Sequence, residues 1–263
     1  MLLKSMQISI ARLSQSILLL VYRAAVASRL LSTSWGRAIF EWAYMVYKNR
    51  IEATTVDGLR SFVRPGAIVI DVGANIGFFA LRFGQWVTDA ARVLALEPEP
   101  TNYRRLKRNI SRANLDNVVE ALCVAVAEKS GEALLTVDPV HPGNHKLGEA
   151  GIAVESISID ALVAGYGWPR VGLIKIDVQG AERRVIIGAA ETLRRFQPAL
   201  YVELARDSSE GDLLQLLTDW GYHPYVLRKS TPPLSIAVER ARQLIAVRGY
   251  YDFLFLSKKG SDD

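Results

Sequence analysis

The sequence predicts an α/β fold: a mostly parallel, seven-stranded sheet with helices on both faces and an N-terminal helical extension. Three observations predict it. Apolar, largely β-branched runs without polar alternation recur at 67–72, 92–97, 117–126 and 171–177, as strands buried on both faces require. Helical patterns separate them at 76–87, 99–113 and 181–196. The first strand runs directly into Gly73 and Gly77 and then a helix, the arrangement of a ligand-binding crossover.

Taken in order, residues 1–56 form a basic amphipathic extension, 57–258 the folded domain and 259–263 a polar tail. Residues 1–40 carry Lys4, Arg12, Arg23, Arg29 and Arg37 without an acid, and Ile8, Leu13, Ile17, Leu20 and Leu31 recur at near-helical spacing. The uncharged stretch between Arg12 and Arg23 is shorter than the roughly 20 apolar residues a bilayer span needs. No convincing small-residue cleavage site follows it. Two placements stay open: docked on the chain's own core or on a second subunit of a homo-oligomer, or lying in an anionic membrane surface. Residues 35–47, apolar on one side, extend this as a helical cap.

Residues 57–66 read as a loop and short helix, with Arg64-Pro65-Gly66 as the turn into the first strand. Pro98 and Pro100 suit a loop followed by a helix start. The alternation breaks at 127–159, where 131–138 and 154–159 read as short strands flanking a loop at 139–145, a candidate active-site lid. It then resumes with a strand at 198–203 and a helix at 210–220. Strands at 223–227 and 251–257 suit an antiparallel pair closing one edge of the sheet. Between them, 235–248 is a basic stretch on a helical pattern.

Composition narrows the function. At 263 residues with 50% hydrophobic content, the chain can bury a full core. One cysteine, Cys123, excludes an internal disulfide framework and suits a reducing, cytoplasmic compartment; its apolar run predicts a buried thiol. Three histidines and one cysteine show no zinc-ligand spacing. A net charge of +5 without interleaved basic and aromatic residues argues against a nucleic-acid partner.

The first crossover points to a nucleoside cofactor. Residues 70–77 are Ile-Asp-Val-Gly-Ala-Asn-Ile-Gly, and Glu97 ends the next strand about 20 residues later. A carboxylate there can accept two hydrogen bonds from a ribose diol. A dinucleotide site wants G-x-G-x-x-G, yet the middle glycine is missing and Asp71 would repel a pyrophosphate. S-adenosylmethionine carries a cationic amino-acid end and no phosphate, so the charge pattern favours it. The expected cofactor-binding residues are Asp71, Gly73, Asn75, Gly77 and Glu97, with Ala125 beside the adenine. Two rivals remain: an NAD(P)-dependent oxidoreductase and a non-catalytic cofactor-binding protein.

A second segment, Leu-Ile-Lys-Ile-Asp-Val-Gln-Gly-Ala-Glu at 173–182, puts Lys175 inside an apolar strand, where it needs a carboxylate partner such as Asp177 or Glu182. In order, Asp-Val-Gly-Ala-Asn-Ile-Gly, Leu-Glu-Pro-Glu-Pro, Ile-Lys-Ile-Asp-Val-Gln-Gly-Ala-Glu and the later Val202-Glu203 resemble the motifs of FkbM-type methyltransferases across residues 50–230. The resemblance implies a Rossmann-like methyltransferase sheet, S-adenosylmethionine as cofactor, and O-methylation of a hydroxyl on a sugar, glycan or small-molecule natural product. One departure stands out: the family shows Val-Glu-Gly where this chain has Val178-Gln179-Gly180, and glutamine cannot take up a proton as a carboxylate can.

Methyl transfer to a hydroxyl needs in-line positioning and a base. Asp177 is the first candidate, followed by Glu203 and His145, the last on the loop that could close over the acceptor. Lys175 is either catalytic or the structural partner of a carboxylate. Asp177 and Glu203 alone are too few ligands to commit to a metal.

Overall fold

The computed structural model describes residues 56–88, 90–137, 145–206, 212–229 and 231–257. The N-terminal extension through residue 55, nearly all of the expected lid loop and the polar tail lie outside the described residues. A 3-10 turn, Asp57–Phe62, leads to the first strand, as the expected loop and short helix required.

The first half of the sheet follows from the apolar runs. Strand β1 (Ile68–Val72) is buried at every position. Helix α1 (Phe78–Trp86) follows it, then β2 (Val93–Leu96), α2 (Pro100–Arg112) and β3 (Val119–Leu122). These strands pair in parallel, β1 with β2 and β2 with β3. Pro100 opens α2, where its missing N–H costs nothing, and Glu99 caps it by accepting the amides of Thr101 and Asn102. Gly84 lets α1 lie close on β3: a Cβ there would sit 2.5 Å from the Val119 side chain.

The strand expected at 117–126 is two strands. After Leu122 the chain leaves the main sheet, and β4 (Ala125–Val126) joins a second one with β5 (Gly131–Thr136), β6 (Lys146–Gly148) and β7 (Ile152–Ile157). Its order is β4-β7-β5-β6, around Ala125, Leu135 and Val154. The two short strands expected here are β5 and β7. Cys123 sits at the break and is exposed, correcting the expectation of a buried thiol.

Alternation resumes with α3 (Ile159–Gly165), β8 (Val171–Ile176), α4 (Glu182–Ile187), α5 (Ala190–Phe196) and β9 (Ala199–Ala205). The single helix expected at 181–196 is broken at Gly188, where a Cβ would overlap the carbonyl oxygen of Ala127. Asp160 stabilises the break, accepting the amides of Glu191 and Thr192 at 2.9 and 2.8 Å.

The chain ends with α6 (Leu213–Asp219), β10 (Tyr222–Arg228), β11 (Thr231–Ser235), α7 (Val238–Arg248) and β12 (Tyr250–Ser257). The main sheet has eight strands rather than seven, in the order β11-β10-β12-β9-β8-β1-β2-β3. The expected antiparallel pair is present, β12 lying between β9 and β10. Strand β11 is the addition. Pro232 and Pro233 argue against a strand, but they lie on the sheet's edge strand, opposite a register irregularity between Val226 and Arg228, where missing donors are tolerated.

Ile70, Leu94, Ile174, Leu200, Phe253 and Phe255 are fully buried in the core. Each such side chain contributes about 1.5–3 kcal/mol on burial. No helix among the described residues is long and apolar enough to cross a membrane. The order reverses between β1 and β8: from β1 the chain builds outward to β3, then returns to β8 on the other side. Ligands bind at the carboxyl ends beside such a switch.

Candidate active site

The β1–α1 crossover is held through its backbone groups, mostly by partners on β2 and α2. The amides of Gly73 and Ala74 both donate to the Leu96 carbonyl at 3.0 Å, and Gly77 donates to Ala74. Asn75 takes the left-handed conformation, φ +49, which asparagine tolerates, and its amide donates to Glu97 Oε2 at 2.8 Å. Asn109 of α2 latches the loop from outside by donating to the Ile76 carbonyl. Gly73, at φ +72, is required for a second reason: any Cβ there would overlap the backbone of Asp177. The glycine therefore lets the end of β1 and the loop after β8 come into contact.

Beneath this contact lies Lys175. In the parallel register Lys175 is the partner of Asp71, so the two side chains share a face. Its Nζ donates to the carbonyls of Val72 and Gly73 at 3.1 and 2.8 Å, and lies 3.1 Å from Asp71 Oδ1 and 3.8 Å from Asp177 Oδ2. The Phe79 ring stands 5.1 Å from the same ammonium and 5.8 Å from the Tyr201 ring. The sequence pattern suggested that Asp71 faces the ligand; Asp71 is instead completely buried. Burial pushes its carboxyl above the usual range, and the neighbouring ammonium opposes that shift. Lys175, 2% exposed, ties β1 to β8 rather than standing open to solvent.

Glu97, at the end of β2, is buried and accepts two amides, from Asn75 on Oε2 and from Glu99 on Oε1. Desolvation outweighs those hydrogen bonds and pushes its pKa up to about 7. Two lone-pair positions per oxygen leave it room to accept further hydroxyl donors.

One strand further along the sheet, β8 and β9 run in register through Ile176 and Val202, which places Asp177 and Glu203 side by side. Gln179 joins them: its Nε2 lies 3.0 Å from Glu203 Oε1 and 3.4 Å from Asp177 Oδ1. Gly180 follows at φ +98 with its amide bound by both oxygens of Glu182, which is buried. Asp177 and Glu203 are half-buried, and the side chain of Asp177 is 33% exposed.

The structure thus gathers Asp71, Gly73, Asn75, Gly77, Glu97, Lys175, Asp177 and Glu203 around one sheet edge. His145 is half-buried just before β6, on the second sheet. Ala125 is buried in that sheet's own cluster, which leaves Cys123 and Val124 as the more open positions beyond β3. Two residues escaped the sequence reading, Phe79 and Tyr201, which lie in apolar runs like the rest of the core. Gln179 stands out in the sequence as a departure from the family's glutamate, and the structure adds that it bridges two acids. The available signal for Gln179 was a Gly following it just after a strand, which marks a turn; its φ is +50. Among the described residues no group of three or more acidic, histidine or cysteine side chains is placed to hold a metal ion.

The arrangement can hold a nucleoside by its ribose at Glu97 and place a reacting group near Asp177 and Glu203. Comparison with known proteins identifies the family. Residues 71–224 match the family model described as the Methyltransferase FkbM domain. The hexuronic acid methyltransferase AglP of Haloferax volcanii is 30% identical over 154 residues, which are 58% of this chain and 62% of that protein. The 31-O-demethyl-FK506 methyltransferase FkbM of Streptomyces tacrolimicus is 27% identical, across 61% of this chain and 74% of its own. The 2-O-methyltransferase NoeI of Sinorhizobium fredii is 29% identical, across 57% and 68%.

Proposed function

The chain belongs to the FkbM methyltransferase family, and on that premise we propose that it is an S-adenosylmethionine-dependent O-methyltransferase acting on a hydroxyl of a sugar, glycan or small-molecule natural product. The observation that carries this reading is the crossover itself. Its amides at Gly73, Ala74, Asn75 and Gly77 are all engaged within the protein, so they offer no cradle to a pyrophosphate. Two half-buried carboxylates, Asp177 and Glu203, add negative charge at the same edge, which suits a ligand with a cationic end. Buried Glu97 completes the fit by offering a carboxylate to a ribose.

When bound, S-adenosylmethionine supplies an electrophilic methyl group on a sulfonium. Glu97 accepts the ribose hydroxyls, and Gly73, Asn75 and Gly77 form the floor on which the methionine end rests. Lys175 and Asp71 hold that floor to β8. Asp177 takes the proton of the acceptor hydroxyl, with Glu203 beside it; His145 lines the acceptor side, and the chain at Cys123 and Val124, rather than buried Ala125, the adenine side. Residues 57–258 form this catalytic domain, and 1–56 an N-terminal extension to it in sequence.

Calorimetry with S-adenosylhomocysteine against NAD and NADP tests the cofactor. Binding of S-adenosylhomocysteine alone is expected; binding of the dinucleotides alone would overturn the reading. Transfer of labelled methyl to a panel of uronic acids, oligosaccharides and hydroxylated macrolides then tests the acceptor class.

A further inference from the structure

Helix α2 carries cations that the fold does not use. Arg104, Lys107 and Arg112 lie on its solvent-facing side and all three are exposed, while Asn102, Leu106 and Ile110 bury the opposite side. Arg104 donates to the Thr101 hydroxyl and Lys107 stands over the Tyr103 ring, but no carboxylate among the described residues pairs with any of the three. Arg105 and Arg108, on the same helix, are engaged with other groups. The helix itself contains no acid. Nearby acids have other tasks: Glu99 caps the helix, Asp116 accepts the Ser111 hydroxyl and Glu120 faces Arg92.

Helix stability does not account for this pattern. A cation is favourable in the last turn, which suits Arg112, but Arg104 sits in the second turn, where the dipole offers it nothing. Like charges three or four residues apart on a helix also repel. The face begins beside the candidate active site. Helix α2 starts three residues after Glu97, and its Asn109 latches the β1–α1 crossover through the Ile76 carbonyl. The charge of Arg104 reaches Cys123 at the carboxyl end of β3. From Arg104 to Arg112 the face extends about 12 Å along the side of the domain.

We propose that this face of α2 is a subsite for an acidic polysaccharide, whose carboxylates pair with Arg104, Lys107 and Arg112 while one of its sugar units reaches the active-site edge. The inference rests on the proposed function for the identity of the polymer and on the three cations for its charge. Residues three apart, such as Arg104 and Lys107, have Cβ atoms about 5–6 Å apart, close to the length of one sugar unit. The face exposes no aliphatic side chain to enter a bilayer and no aromatic ring to stack on bases.

The test uses the full chain and needs no methyl donor. Calorimetry with an oligogalacturonate is expected to show binding that salt weakens, and a neutral dextran oligosaccharide of equal length should show none. Combining Arg104→Gln, Lys107→Gln and Arg112→Gln should weaken binding about tenfold or more, since three charge-assisted contacts are lost. Removing equal charge elsewhere, by Arg60→Gln, Arg228→Gln and Arg240→Gln, should change it by about threefold at most. Absence of oligogalacturonate binding overturns the inference. So does an equal loss in both triple variants, which would make the effect one of net charge. Tighter binding of duplex DNA or of phosphatidylglycerol vesicles than of oligogalacturonate overturns it in favour of that partner. S-adenosylhomocysteine is titrated alongside. If it binds and the oligogalacturonate does not, this inference alone fails; if only the oligogalacturonate binds, the proposed function fails while the α2 comparison keeps its meaning.

Discussion

Lys175 Nζ lies 3.1 Å from Asp71 Oδ1, and both side chains are buried at partner positions of adjacent parallel strands. Among the described residues neither Asp71 oxygen has a hydrogen-bond partner of ordinary geometry, so the ion pair is the main compensation they provide. A buried pair of this kind contributes little against an apolar alternative, yet losing one member is costly. Lys175→Met should therefore destabilise the fold by roughly 3–5 kcal/mol. Adding Asp71→Asn to it should recover part of that loss, because the stranded charge is gone. Urea unfolding of the two variants checks this; equal stability of single and double variants would show that Asp71 is not the compensated group.

Gly73→Ala should be among the most damaging small substitutions. The added methyl overlaps the Asp177 backbone at a left-handed position, so β1 and the loop after β8 must separate. A loss of roughly 2–4 kcal/mol is expected from the strain and the lost contact. The same change at Gly180, where the new methyl meets nothing within 4 Å, should cost less despite its positive φ. Thermal unfolding of both variants gives the comparison.

Glu97 makes stability depend on pH. Its folded pKa, raised by burial from 4.5 to about 7, means that the folded form binds more protons than the unfolded form between those values. Its contribution is full below about 4.5 and is lost as pH rises through 7, a change on the order of 3 kcal/mol. Glu97→Gln should remove this dependence, so the variant gains on the wild-type protein as pH rises from 4.5 to 7. Parallel stability curves would place the titration elsewhere.

Cofactor affinity should rest on the same residue. Glu97→Ala is expected to weaken S-adenosylhomocysteine binding by about 1.5–3 kcal/mol, the range for a hydrogen bond to a charged group. An unchanged Kd removes Glu97 from the ribose site.

For the chemical step, Asp177→Asn should lower kcat about 10²–10⁴-fold, the span for losing a general base. S-adenosylhomocysteine, which lacks the sulfonium charge, should lose far less affinity than kcat falls. If Glu203→Gln causes the larger fall instead, the base is Glu203 and the order of candidates reverses.

The alternation of apolar strands and amphipathic helices, the glycine crossover and the acid after β2 were legible because each depends on residues close together in sequence. Local steric and burial demands suffice to reveal them. Where neighbours came from far along the chain, the pattern misled. The helix at 181–196 looks continuous until Ala127 presses on Gly188 and Asp160 caps the second piece. The strand at 117–126 looks whole until Ala125 and Val126 pair with β7.

What the sequence by itself determined is the class of fold, the family and the identity of most acids at the sheet edge, since motif spacing places them at strand ends. Tertiary structure decided which acids face inward and which stay open. Asp71 and Asp177 look alike in the chain, yet the first is sealed against Lys175 and the second lies beside Glu203 under the Gln179 amide. That difference arises from strand register across β1, β8 and β9, residues up to about 130 positions apart, and side-chain charge in a protein takes its role from the neighbours that register supplies.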